Sequence, residues 1–169
     1  MPDRSFRSLD GRFGLRLRTR DLRAILGHCK VAGSNETGGI LAGRYSSNLD
    51  CAVVHHASAP PNDSRAGRTW FNRGIRGLQS WLDGLWRSRR YYLGEWHYHP
   101  GAAPDPSRTD EEQMASIAGS VDYKCPEPIL LIIGGDPNGA WAARAFVYVG
   151  SRLIELVEAT SQDGSDNRR

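Results

Sequence analysis

The chain has 169 residues, 39% of them hydrophobic and 24% charged, with a formal net charge of +3. These are the values of one globular domain, and no apolar run comes near the roughly 20 residues that a membrane-spanning helix needs. The polar opening Met1-Pro2-Asp3-Arg4-Ser5-Phe6-Arg7 lacks the apolar segment of a secretory signal, so the chain is read as cytoplasmic.

Cys29, Cys51 and Cys125 are odd in number and widely spaced, which points to buried free thiols and to neither a disulfide framework nor a thiolate metal site. The positive residues are nearly all arginine, clustered at 16–23 and 87–90. No nucleic-acid module accompanies them, so they read as solvated faces, with neither nucleic acid nor membrane as a partner.

In chain order, residues 1–11 are expected to be a flexible lead to a single domain at 12–160. Phe13, Leu15 and Leu17 alternate with polar residues as in a half-buried strand. Thr19 is a candidate cap for a helix over 20–30, which places Leu22, Ile25, Leu26 and Cys29 on one face. A glycine-rich strand follows at 36–45, a turn at 46–48 and a return strand at 51–57. His55 and His56, adjacent on that strand, face opposite ways and cannot share one metal ion. A short strand is expected at 68–71.

Ile75, Leu78, Trp81, Leu82, Leu85 and Trp86 fall at helical spacing, so the pattern predicts an amphipathic helix over 72–88 capped by Asn72, with its indoles in the core. Residues 91–99 read as a strand that Pro100 ends, and 107–118 as a short helix. The apolar run at 128–133 reads as a central strand buried on both faces, joined through the turn Asp136-Pro137-Asn138-Gly139 to a strand at 141–149. Residues 153–157 extend that hairpin or form a terminal helix, and 161–169 are expected to be a disordered tail. The order of elements implies a mixed sheet flanked by helices.

The chemistry concentrates in Gly94-Glu95-Trp96-His97-Tyr98-His99-Pro100 and in Ser107-Arg108-Thr109-Asp110. Strand alternation sends His97 and His99 out of one face, where two imidazoles can meet one metal ion. Asp110, in the first turn of the next helix, is a candidate third ligand, although Ser107-x-x-Asp110 also reads as a capping box. Two histidines and an aspartate leave one tetrahedral position of Zn²⁺ free for water, as in a catalytic site.

His97-x-His99-Pro100 followed by Ser107-x-x-Asp110, with Glu36 upstream in Asn35-Glu36-Thr37-Gly38-Gly39, resembles the JAMM (MPN+) metallopeptidase family. The resemblance runs from about Phe13 to Val149. The Tyr92-Leu93-Gly94-Glu95-Trp96 and Pro104-Asp105-Pro106-Ser107 stretches are similar to stand-alone bacterial members found in anti-phage operons beside E1-like and E2-like conjugation enzymes. It implies a three-layer α-β-α sandwich around a curved, mostly antiparallel sheet, and one zinc ion on His97, His99 and Asp110. It further implies Glu36 as the acid/base and Ser107 as the group that holds the tetrahedral intermediate. The implied activity is cleavage after the C-terminus of a ubiquitin-like modifier, in deconjugation or precursor processing. A metal-free scaffold that only binds partners, and a zinc hydrolase of another amide such as a sulfur-carrier precursor, are the alternatives. Tyr98 departs from the small residue usual at its position and is expected to point away from the metal face. Asp63, Glu95 and Asp105 receive no catalytic role.

Overall fold

The computed structural model describes residues 1–159, and in it the alternating segments become strands. The elements are β1 (Arg4–Arg7), β2 (Gly14–Leu17), α1 (Thr19–Ala32), β3 (Thr37–Tyr45), β4 (Cys51–Ala57), β5 (Arg65–Gly67), β6 (Trp70–Asn72), α2 (Leu78–Arg87), β7 (Tyr91–Pro100), α3 (Arg108–Gly119), β8 (Ile129–Gly135), β9 (Trp141–Val149) and β10 (Arg152–Glu158). Among the described residues, ten strands and three helices make a mixed α+β fold. The order β1-β10-β9-β8-β7-β3-β4-β2 closes on itself as a barrel, and β5 pairs with β6 alone in a separate hairpin. Within the barrel β2 runs parallel to β4 and β7 parallel to β8, while the other neighbours are antiparallel.

Closure corrects the expected three-layer sandwich, and β1 is its cause. Within the stretch expected to be a flexible lead, Arg4–Arg7 pairs with β2 on one side and β10 on the other, so two would-be sheet edges satisfy each other through it. Phe6 anchors it in the core. The segment at 153–157 takes the strand option, as part of β10. The tail at 161–169 lies outside the described residues.

The two faces of β8 show how the core divides. Ile129, Leu131 and Ile133 pack with Leu15, Leu17, Leu41 and Trp96 under the stripe Leu22, Ile25, Leu26 and Cys29 of α1. Leu130 and Ile132 pack on the other side with Leu78 of α2 and Met114 and Ile117 of α3. A strand covered on both faces has no polar side to alternate with, which is why its sequence is continuously apolar.

Helix starts differ from expectation where side chains from elsewhere take over the capping. Thr19 lies inside α1 and Arg18 is the N-cap; the Thr19 N–H donates to Asp3 Oδ1 at 2.7 Å and its hydroxyl to the Met1 carbonyl at 2.8 Å. Helix α2 starts at Leu78 after Gly77, in the left-handed conformation, and Asn72 is the last residue of β6. The Asp63 carboxylate accepts from the N–H groups of Ile75 and Arg76 and holds that approach out of the helix. Trp86 is 55% exposed, so the tryptophan stripe is only partly core.

Candidate metal centre

Strand β7 carries both imidazoles, and a bulge sets which way they point. Tyr92 faces Ala42 and Gly94 faces Leu41, so one extra residue stands on β7 between them. Leu93, Trp96 and Tyr98 then enter the core under α1, while Tyr92, Glu95, His97 and His99 share the other face. Gly94 takes φ +148°, and a Cβ there would stand 1.9 Å from the Ile129 carbonyl oxygen, so the bulge requires glycine.

Asp110 comes from the first turn of α3, and the capping box read from the sequence is what aims it. Ser107 Oγ accepts from the Asp110 N–H at 3.2 Å, and Asp110 Oδ2 accepts from the Ser107 N–H and Oγ–H at 2.7 Å each. The other oxygen, Oδ1, lies 2.5 Å from His97 Nδ1, and Oδ2 lies 3.6 Å from His99 Nε2. One donor atom from each of His97, His99 and Asp110 falls within 4.8 Å of the others; it is the group of this kind among the described residues. His97 and Asp110 are buried, whereas His99 keeps 12% of its side chain exposed and so lies toward solvent.

Burial alone would lower the His97 imidazole, but the carboxylates of Asp110 and Glu95 outweigh it and bring the pKa up to about 9. Burial would raise Asp110, yet His97 and Ser107 take it down to about 2. Burial lowers His99, against the pull of Asp110. The donor set fits a divalent ion such as zinc: two imidazoles, one carboxylate and a fourth position open. His97 Nε2, on the side of the ring away from Asp110, is buried with no hydrogen-bond partner.

Glu36 immediately precedes β3, and its N–H donates to the Gly67 carbonyl at 2.8 Å, which ties it to the β5–β6 hairpin. Burial first, and then the charge of Asp110, raise its carboxyl, with His97 opposing. Thr37, the next residue, pairs with Tyr98, so Glu36 stands at the end of β3 that lies beside the His97–His99 end of β7. From the hairpin, Phe71 sets its ring against His97, centroids 6.1 Å apart and planes at 74°. Gly38 makes room for both, since a Cβ there would lie 2.9 Å from Phe71 Cε1 and 3.0 Å from His97 Cδ2.

A family model described as prokaryotic homologs of the JAB domain matches residues 19–147. The chain belongs to the prokaryotic JAB-domain family. It is 43% identical over 145 residues to a CD-NTase/cGAS isopeptidase of Enterobacter hormaechei subsp. hoffmannii, covering 86% of this chain and 81% of the relative. It is 32% identical over 133 residues to a probable metalloprotease of Sinorhizobium fredii, covering 75% and 80%. A solution structure of a Desulfitobacterium hafniense protein shares the fold, with a TM-score of 0.63 at 21% identity over 81% of this chain and 86% of that one. This JAB domain is a JAMM-type hydrolase with a peptidase role.

Within the JAB domain the other candidates lie outside the metal group. His56 faces Trp81, their rings edge to face at 6.4 Å, and neither it nor His55 joins the metal group. The Asp105 carboxylate pairs with Arg144. Tyr98 points into the core, its hydroxyl donating to the Gly135 carbonyl at 3.1 Å. Burial takes the thiols of Cys29 and Cys125 up to about 12 and about 11, so both are neutral and inert at physiological pH. Glu95, which is 0% exposed, and its partner Arg73 carry no motif of their own in the sequence. The available signal was the place of Glu95 two residues before His97 on the same strand face.

Proposed function

We propose that this domain is a zinc-dependent isopeptidase that hydrolyses the amide bond after the C-terminus of a ubiquitin-like modifier. The observation that carries the reading is the convergence of three ligand-type side chains, with Phe71 of the separate β5–β6 hairpin set against His97. Zinc on His97, His99 and Asp110 would supply a water of lowered pKa and polarise the scissile carbonyl. Glu36, its carboxyl raised toward the working range of a proton shuttle, takes the proton of the attacking water and returns it to the leaving amine. The Ser107 hydroxyl, which donates to Asp110 Oδ2, turns to the developing oxyanion. An extended modifier tail adds to the edge of β6 by main-chain pairing, with Phe71 beside it.

The relatives' name, CD-NTase/cGAS isopeptidase, supports an isopeptide bond and a CD-NTase as the conjugated protein; the resemblance to members of anti-phage operons implies E1-like and E2-like enzymes as those that join them. The test is to form such CD-NTase conjugates with those enzymes and to add the purified domain. Free CD-NTase should appear, release should stop with a chelator, and zinc should restore it. Binding of the conjugate with no release, or release indifferent to chelation, would overturn the reading.

A further inference from the structure

Glu95 is a carboxylate with no exposed surface, held from three elements. Arg73, directly after β6, donates through Nε to both carboxylate oxygens at 3.0 Å and approaches Oε1 with Nη2 at 2.8 Å. Gln113 Nε2 of α3 donates to Oε2 at 2.8 Å, and the Tyr92 hydroxyl of β7 donates to Oε1 at 3.2 Å. A buried ion pair adds little stability over apolar side chains of the same volume, so stability alone does not account for it.

What this carboxylate also faces is His97. Glu95 Oε2 lies 3.7 Å from Nε2, the buried nitrogen of that ring with no hydrogen-bond partner, while Nδ1 faces Asp110. The imidazole thus lies between two carboxylates, one inside the candidate ligand set and one outside it. We infer that Glu95 is a positioning residue of the metal centre: its charge, 3.7 Å from Nε2, favours the His97 tautomer with the proton on that side and so leaves Nδ1 for the metal beside Asp110. Outer carboxylates of this kind fix the tautomer and orientation of a ligand histidine. Arg73 and Gln113 fix Glu95 in turn. Because Arg73 is joined to β6, the same contact links the hairpin's seat to the ring that Phe71 touches from the other side.

The inference rests on the reading of His97, His99 and Asp110 as metal ligands, and the experiment separates the two. Zinc affinity is measured by competition with a chromophoric chelator for wild type, Glu95→Gln and the double variant Glu95→Leu/Arg73→Met, with melting curves alongside. The double variant leaves no unpaired buried charge. Both folded variants should bind zinc about 10- to 100-fold more weakly. Zinc-loaded wild type, with its histidines labelled with ¹⁵N, should show His97 as the single Nε2–H tautomer.

A double variant that is folded and binds zinc within about threefold of wild type would mean that Glu95 is only structural. If neither variant folds, the wild-type spectrum decides, since a proton on Nδ1 overturns the inference. Wild type that takes up no zinc removes the ligand reading and this inference with it, whereas tight zinc in wild type and variants alike removes the inference alone.

Discussion

Gly38→Ala tests how closely the candidate metal centre is packed. Gly38 pairs with His97 across β3 and β7, and a methyl group there would stand 2.6 Å from the Trp96 carbonyl oxygen, 2.9 Å from Phe71 Cε1 and 3.0 Å from His97 Cδ2. Comfortable contact begins near 3.5 Å, so these atoms must part by roughly 0.5–1 Å. Phe71 can yield with its hairpin, but the Trp96 carbonyl belongs to a strand paired on both sides. Overpacking of this kind costs about 1–3 kcal/mol, and each kcal/mol is about 2–4 °C for a domain of this size. Tm should therefore fall by roughly 2–12 °C. Because the displaced ring is His97, kcat/KM should fall by about 10²-fold.

Gly84→Ala is the control: it lies in α2 with nothing within 4 Å of the added methyl. It should gain up to about 1 kcal/mol of helix propensity at full activity. Circular-dichroism melts and conjugate cleavage on both proteins decide the matter. Gly38→Ala melting with wild type at full activity would refute the packing argument, as would equal losses in both variants.

Glu36→Gln should keep metal content and Tm while turnover falls by about 10²-fold or more, and loss of zinc from this variant would place Glu36 among the ligands instead. The metal-free protein should show an unusual pH profile. His97, raised from 6.5 to about 9, contributes stability that is full below pH 6.5 and lost as pH rises through 9. Asp110, lowered from 3.8 to about 2, contributes above pH 3.8 and loses it as pH falls through 2. Chelator-treated protein should thus be most stable between roughly pH 4 and 6.5, by on the order of 1–3 kcal/mol over pH 9.5. A flat or rising Tm across pH 6.5 to 9.5 would refute the His97 and Asp110 pairing.

The elements that the sequence disclosed were those whose neighbours are local. Strand β4 and strand β9 have the expected bounds, because a turn signal just before each marks where the chain returns. The three ligand-type residues were legible from local pattern too: alternation puts His97 beside His99, and the capping box locates Asp110 in a first turn. What stayed hidden depends on distant partners. Nothing local in Arg4–Arg7 announces a strand, since its pairing partners are β2 and β10 and only Phe6 is buried. The helical spacing from Ile75 onward was real, but Asp63, 12 residues away, claims the backbone that would have begun the helix. Glu95 looked like one more polar residue because Arg73 comes from beyond the preceding helix in sequence.

The topology explains why the centre forms where it does. Strands β7 and β8 are parallel, so the chain must cross over between them, and it does so through α3. A crossover helix begins just past the end of the strand it follows, which brings the first turn of α3 to the end of β7 that carries His97 and His99. The residue type that best closes such a turn is an acid at the third helical position, where backbone N–H groups and the helix dipole favour negative charge. Asp110 meets both demands with different oxygens: Oδ2 closes the turn on Ser107, and Oδ1 is turned to His97. Because Oδ2 is fixed by two hydrogen bonds, Oδ1 is aimed before any metal arrives. The capping box and the candidate ligand set are therefore one arrangement: the turn that closes the helix on Ser107 is the turn that presents Asp110 to His97.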